Sequence, residues 1–353
     1  MGHLDALAQQ PRPAGSDAAA SALDYCADAL RGLGFTVTRR PFAYSALPGR
    51  YGAPILGALG AILVVATVII GARGVTEAAT SAALSTAAMA LASAWLGGSQ
   101  ATRTSWLSES AFNVEAARGA NPRVWLVAHI DSKSQPVSTA VRTVGVVLLA
   151  VSLFGLPVRA ALLASGLWPA LPAVIVVCGL VGGGILAFSI VGSKSDGAAD
   201  NASGVAAVLE AAASVAPATS FGVLITDAEE LTAAGARAWV VGRDPAIAIN
   251  CDLIDDEGRL VVMPYGNSAA LGRQALAAAR AVGSRATTIW FLPGVLTDSV
   301  AFAAAGWQTV TLSCGTLRTL SRIHTARDNR EHISGIGIPA AARVLARLVE
   351  ELA

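Results

Sequence analysis

Charge is scarce in this chain. Only 14% of its 353 residues are Asp, Glu, Lys or Arg, where an average soluble protein carries about 25%. Aromatic residues make up 5%, and histidine occurs four times. The few charges nearly cancel to a net +1, so nothing points to a nucleic-acid partner, which needs a basic surface. Cysteine is scarce as well. Cys26, Cys178, Cys251 and Cys314 form no CxxC pair, which argues against a thiolate zinc site and a disulfide framework. The stretch from Met1 to Ser16 is polar and lacks an apolar core, so a signal peptide is not expected there. Myristoylation is not expected either, because Ala6 stands where Ser or Thr is wanted. Apolar residues take the place of charge, at 54% of the chain. Mean hydropathy is +0.57, a value that points to membrane-embedded segments.

The apolar residues fall in two blocks. Pro54 to Gly71 runs without a charge, Arg73 and Glu77 mark a turn, and Thr80 to Leu96 is a second stretch rich in Ala and Ser. A spanning helix needs about 20 mostly apolar residues. The first run meets that; the second is less hydrophobic and also fits a buried soluble helix. In the other block the strongest parts are Thr143 to Leu156 and Ala173 to Val191, with Pro157, Arg159, Pro169 and Pro172 expected to break the chain between them. Each block is read as a transmembrane hairpin, over 53–98 and 136–195. The soluble remainder is then 1–52, 99–135 and 196–353.

In those soluble parts strands and helices alternate. Ser16 is expected to cap a helix over Asp17–Arg31. Strands are expected at Phe35–Arg40, Phe112–Ala116, Val124–Ala128, Phe221–Thr226, Ala246–Asp252, Leu260–Met263 and Thr309–Leu312. Helices follow around Val205–Ala213, Ala233–Val241, Ala270–Val282 and Ile338–Leu352. This alternation gives an α/β fold, a mostly parallel central sheet flanked by helices and interrupted by the two hairpins. Ligand sites in such sheets lie outside the carboxyl ends of the strands.

The polar residues that do occur collect at those ends. His129 and Asp131 close one strand, Glu229 and Glu230 another, and Asp252 a third. Asp200 opens a buried helix from a small-residue turn, and His324 stands in Ile323-His324-Thr325-Ala326-Arg327-Asp328. Singly, each has an ordinary explanation. An Asp before a helix is most often a cap, and paired acids at a helix start favour the dipole. Asp255, Asp256 and Glu257 look like a solvated acidic turn. His3 and His332 lack a comparable polar setting. Together, the imidazoles and carboxylates match what zinc accepts at a catalytic site. A central carboxylate can bridge two ions that clamp a nucleophile and a carbonyl.

The motifs Ala128-His129-Ile130-Asp131-Ser132, Asp200-Asn201-Ala202-Ser203-Gly204, Glu229-Glu230, Asn250-Cys251-Asp252, Thr297-Asp298-Ser299-Val300-Ala301-Phe302 and His324-Thr325-Ala326-Arg327-Asp328 occur in that order. In them the chain resembles metallopeptidase family twenty-eight, the di-zinc aminopeptidases with glutaminyl-cyclase-like members. The opening Arg12-Pro13-Ala14-Gly15-Ser16 and the helix exit Leu33-Gly34-Phe35 are similar too. The resemblance implies a zinc-exopeptidase fold of the phosphorylase/hydrolase-like kind, with two Zn2+ per chain. His129 and Asp252 would hold one ion, Glu230 and His324 the other, and Asp200 would bridge them. Glu229 would be the general base and Asp131 would orient His129. The implied activity is hydrolysis of N-terminal residues from peptides by a zinc-bound hydroxide.

The departure from the family is the long apolar insertion between His129 and Asp200. It is anchored a few residues from Asp131, which is expected to bring the active site near a membrane surface. The resulting expectation is a membrane-anchored aminopeptidase with about four spanning segments, in the plasma membrane of a prokaryote. Lys and Arg flanking the apolar blocks are more numerous on the peptidase side, which places that domain in the cytoplasm. The alternatives are a glutaminyl-cyclase-like enzyme with a single zinc, which would not need His129, and a non-catalytic membrane scaffold that kept the fold.

Overall fold

The computed structural model describes residues 2–167, 171–290 and 296–353. Its elements, in order, are α1 (His3–Leu7), α2 (Asp17–Gly32), β1 (Thr36–Ser45), α3 (Leu47–Ile70), α4 (Val75–Gly97), β2 (Ser108–Arg118) and β3 (Val124–His129). Next come α5 (Thr139–Ala164), α6 (Leu171–Ala187), α7 (Ser203–Ser214), β4 (Phe221–Thr226), α8 (Ala234–Trp239), β5 (Ile247–Ile254) and β6 (Arg259–Tyr265). The chain ends with α9 (Ala269–Ala281), β7 (Ala286–Thr288), α10 (Ser299–Ala304), β8 (Gln308–Gly315), α11 (Leu317–Arg322) and α12 (Ile338–Leu352). These form two compact units, one of 1–44, 107–134 and 192–353, the other of 45–106 and 135–191.

The first unit is built on an eight-stranded sheet of order β1-β2-β4-β3-β5-β8-β6-β7. Its centre is parallel, β4 to β3, β3 to β5 and β5 to β8. The β2–β4 and β6–β8 pairs are antiparallel. β2 and β3 follow each other in sequence, yet β4 lies between them. Alternation along each strand feeds two cores, because successive side chains point to opposite faces. Val124, Leu126 and Ala128 pack with α1, α2, α7, α9 and α12. Trp125 and Val127 pack with Leu224, Trp239, Phe302 and Trp307 on the other face. α12 shows how pattern becomes packing. Ala341, Leu345, Leu348 and Val349 are buried while Arg343, Arg347 and Glu350 are exposed, one apolar stripe at helical spacing. Ser16 caps α2, its side chain accepting from Ala19 N at 3.2 Å.

The second unit is a bundle of α3, α4, α5 and α6. Among the described residues three helices are long and apolar enough to cross a membrane: α3, α4 and α5. α6, with 17 residues, falls short of the span expected for Ala173–Val191. Helices α3 and α6 meet through glycine, as a Cβ on Gly57 would lie 2.5 Å from Gly183 O. Close backbone approach through small residues is how helices pack where lipid removes the hydrophobic drive. Hydroxyls pair inside the bundle: Thr67 Oγ1 and Ser85 Oγ are 2.7 Å apart, and Ser152 Oγ donates to Ile175 O at 2.7 Å. Large apolar side chains face outward, Leu91 at 72% and Phe154 at 71% exposure. Pro157 and Arg159 do not break the chain as expected, because α5 continues through both. Packing against α4 and α6 supports a helix that lacks one backbone hydrogen bond. Pro172 is the second residue of α6, where its missing N–H costs nothing. The expected break at Pro169 lies outside the described residues.

Candidate metal centre

Five segments at the carboxyl ends of the central strands supply the site. β3 ends on His129, and the next residues run directly into Asp131. β5 carries Asp252 near its end, at a register shift against β8 between Cys251 and Ile254. An irregular turn over Ala198–Ala202 presents Asp200 before α7. Glu229 and Glu230 follow β4, and His324, with φ +58°, follows α11. All these side chains are buried or nearly so.

Asp200 sits at the middle. Its Oδ1 is 3.2 Å from His129 Nε2, and its Oδ2 is 2.9 Å from His324 Nε2. Asp252 Oδ1 is 3.5 Å from His129 Nε2, and Glu230 Oε1 is 3.2 Å from His324 Nε2. Two groups therefore offer converging ligand atoms within 4.8 Å of each other, His129 with Asp200 and Asp252, and Asp200 with Glu230 and His324. Glu229 Oε2 stands 3.8 Å from His129 Nε2.

The site is short of positive charge. Burial alone would keep the His129 ring neutral, yet Glu229 and the surrounding carboxylates hold its pKa well above the usual value. Burial pushes Glu229 well up, and Asp252 and Glu230 reinforce this against the pull of His129. Burial would raise Glu230, but His324 and Lys133 bring it down to about 2. Glu230 Oε1 is buried and accepts no hydrogen bond. A metal ion satisfies such an oxygen, and imidazole with carboxylate is a donor set that zinc accepts. The residues present fit the metal.

A sequence model described as Peptidase family M28 matches residues 113–349. This chain belongs to peptidase family M28. An M28 peptidase of this kind is by class a zinc metallo-exopeptidase, a hydrolase. The fold is that of solved zinc exopeptidases. The aminopeptidase from Aneurinibacillus sp. strain AM-1 matches with TM-score 0.59 and 14% identity, over 99% of this chain and 92% of that one. BSAP, a zinc aminopeptidase from Bacillus subtilis, matches with TM-score 0.58 and 15% identity, over 99% and 93%. Fimbriiglobus ruber glutaminyl cyclase matches with TM-score 0.55 and 15% identity, over 99% and 92%. No curated protein matches this chain.

Asp131 touches both His129 and the paired acids in this M28 site. His129 Nδ1 lies 3.1 Å from the Asp131 main-chain carbonyl and 3.6 Å from its carboxylate. A carbonyl only accepts, so this bond puts a proton on Nδ1 and leaves Nε2 as the ring atom that faces the cluster and would bind an ion. The Asp131 carboxylate also accepts from Glu229 N and Glu230 N, both at 3.1 Å. It fixes the paired acids while standing beside the imidazole ring.

Several supporting residues were not singled out from sequence. Asp328 accepts from Ala199 N at 2.7 Å and Asp200 N at 3.1 Å, holding the Asp200 turn. Asn201 ties that turn to β5, donating to Cys251 O at 2.9 Å and accepting from Leu253 N at 2.9 Å. Arg12 is buried and donates to Ile130 O at 2.8 Å, Asp196 O at 2.6 Å and Gly197 O at 3.0 Å. One guanidinium thus joins the loops after His129 and before Asp200. The expected solvated turn at Asp255 is instead buried. Asp255 accepts from Thr319 Oγ1 at 2.5 Å and Arg322 Nη2 at 2.9 Å, which anchors the approach to His324. The signal available for that pairing was Arg322, a cation close to a site residue that needs a partner. His3 and His332 stay apart from the cluster, bonded to Tyr25 Oη and Asn329 Oδ1 at 2.8 Å each.

Gly204 tests this scaffold. A Cβ there would lie 2.1 Å from Asn201 Oδ1 and 2.6 Å from Cys251 O. Gly204→Ala is expected to cost about 1–3 kcal/mol through overpacking, or about 2–4 °C in Tm per kcal/mol. It should also lower zinc content, since Asn201 links Asp200 to the end of β5. Calorimetry with elemental analysis checks both; an unchanged Tm with full metal would remove Asn201 from the scaffold.

Proposed function

We propose that this chain is a membrane-embedded di-zinc aminopeptidase. The observation that carries the reading is Asp200, one carboxylate whose two oxygens address two different histidines. His129 and Asp252 would hold one zinc, Glu230 and His324 the other, with Asp200 shared. Bound zinc would polarise the scissile carbonyl and lower the pKa of the attacking water. Glu229 takes the proton from that water and passes it to the leaving amine. Asp131 keeps Glu229 in place through its main chain. A glutaminyl cyclase with one ion would have no use for the cluster of His129 and Asp252, and both residues are present here. A scaffold would have no use for either cluster. Elemental analysis of the purified full chain in detergent is expected to give two zinc per chain. One zinc would favour the cyclase, and none the scaffold.

In this reading α3 to α6 form two membrane hairpins in a prokaryotic plasma membrane, and the catalytic unit is cytoplasmic. The outward-facing apolar side chains of the bundle support the first part. The flanking charges support the second, with an adjustment. Arg39 and Arg40 pair with Asp24 and Glu115, and Lys133 pairs with Glu230, so these three are committed to the folded unit. Arg50, Arg103, Arg142 and Lys194 also flank the apolar blocks on the peptidase side, against Arg73 and Arg159 on the other, and Lys and Arg favour the cytoplasm. Protease added to right-side-out vesicles is expected to leave the His324 region intact. Its digestion with the membrane sealed would reverse the orientation.

A further inference from the structure

Lys133 has no role in the chemistry above. Its place follows from a short pairing of the chain with itself. Ser134 and Gly192 form an antiparallel bridge, with Ser134 N to Gly192 O at 2.9 Å and Gly192 N to Ser134 O at 2.7 Å. Ser132 Oγ donates to Ser195 O, and Lys194 N donates to Ser134 Oγ, both at 2.8 Å. Side chains alternate along an extended segment. With Ser132 and Ser134 turned onto 192–195, Lys133 is turned to the opposite side, into the carboxylate cluster. Its Nζ reaches Glu230 Oε2 at 2.5 Å, and its side chain is 13% exposed. The other oxygen, Oε1, accepts no hydrogen bond and faces His324 Nε2 at 3.2 Å. The two oxygens of one carboxylate are thus divided between an ammonium and the histidine cluster.

We propose that Lys133 is a positioning residue that keeps Glu230 a one-oxygen metal ligand. This rests on the reading that Glu230 and His324 hold an ion. A carboxylate with both oxygens free can bind an ion through both. One whose second oxygen is claimed by an ammonium offers a single donor, and the saved position stays open for water or substrate, as a catalytic zinc site requires. Lysine suits the task because its compact ammonium reaches one oxygen from a long stem.

The test uses the full-length chain in detergent, loaded with Co2+, whose visible absorption weakens as coordination number rises. Metal content is measured first. The variants Lys133→Met and Lys133→Ala are expected to keep their cobalt but lose visible-band intensity, with turnover falling about 10–100-fold. Lys133→Arg, which still offers donors to Oε2, is expected to restore the band. Two removal variants are used so that misfolding of one leaves the other to decide. An unchanged band in either folded removal variant overturns the proposal. A band lost equally in Lys133→Arg overturns it as well, because shape rather than the bond to Oε2 would then be at work. Wild-type protein that binds no cobalt overturns the two-metal reading and the proposal with it; wild-type binding with an unchanged Met variant overturns the proposal alone.

Discussion

Glu229→Gln is expected to keep the fold and the zinc content and to lose about 10²–10⁴-fold in hydrolytic rate, the usual contribution of a general acid–base group. Glutamine matches glutamate in size, so the packing of this buried position is preserved. Its amide cannot take a proton from water. The bond that places the residue runs from Glu229 N to Asp131 Oδ1 and belongs to the main chain, so the substitution leaves it in place. Neither ligand group includes Glu229, so metal should stay. The check is turnover of aminoacyl anilides beside elemental analysis on the same sample. Wild-type rates with full zinc would mean that another group carries the proton.

Asp200→Ala is expected to have the largest effect on metal. Both candidate ligand groups contain this carboxylate, so zinc content should fall from the proposed two per chain toward none. Stability should fall as well, because an ion that binds only the folded state adds about 2.7 kcal/mol at a hundred times its Kd. Metal binding and folding are coupled in this way wherever the site forms only on folding. The turn itself should survive, since Asp328 holds the main chain of Ala199 and Asp200. The expected Tm of Asp200→Ala is therefore near that of chelated wild type and does not respond to added zinc. Two retained zinc ions, or a zinc-dependent Tm, would show that Asp200 is not shared.

Local pattern made much of this legible. The limits of α12 were readable because an apolar stripe recurs at helical spacing, and Ser16 was readable as a cap. His129, Glu229, Glu230 and Asp252 stand out because a chain poor in charge places them at strand ends, and Asp200 and His324 because they lie in short polar motifs beside helices; the structure brings all six together. What escaped depends on partners distant in sequence. Nothing near Asp255 announces Thr319 or Arg322, so its neighbours Asp256 and Glu257 made it look solvated. Nothing near β2 and β3 says that β4 will separate them. The proximity of His129 and Asp131 in sequence gives no hint that the Asp131 carboxylate also accepts from Glu229 N and Glu230 N. Pro157 alone reads as a break, and the packing of α5 against α4 and α6, which keeps the helix continuous, is not visible in the local sequence.

The bridge between Ser134 and Gly192 has a mechanical consequence. Residues 135–191 leave the catalytic unit and return to it through two strands already bonded to each other. The bridge works as a strain relief on a cable. A force that parts the two chain ends loads the two main-chain bonds of Ser134 and Gly192 before it can separate Lys133 from the residues that follow Gly192. Because those ends meet without it, the segment between them can lengthen, tilt or change sequence while the ligand geometry stays the same. The cost of closing a longer loop is small, about 0.6 kcal/mol per doubling of length. A loop of this fold can in this way grow into an apolar helical hairpin without the residues of the site having to move.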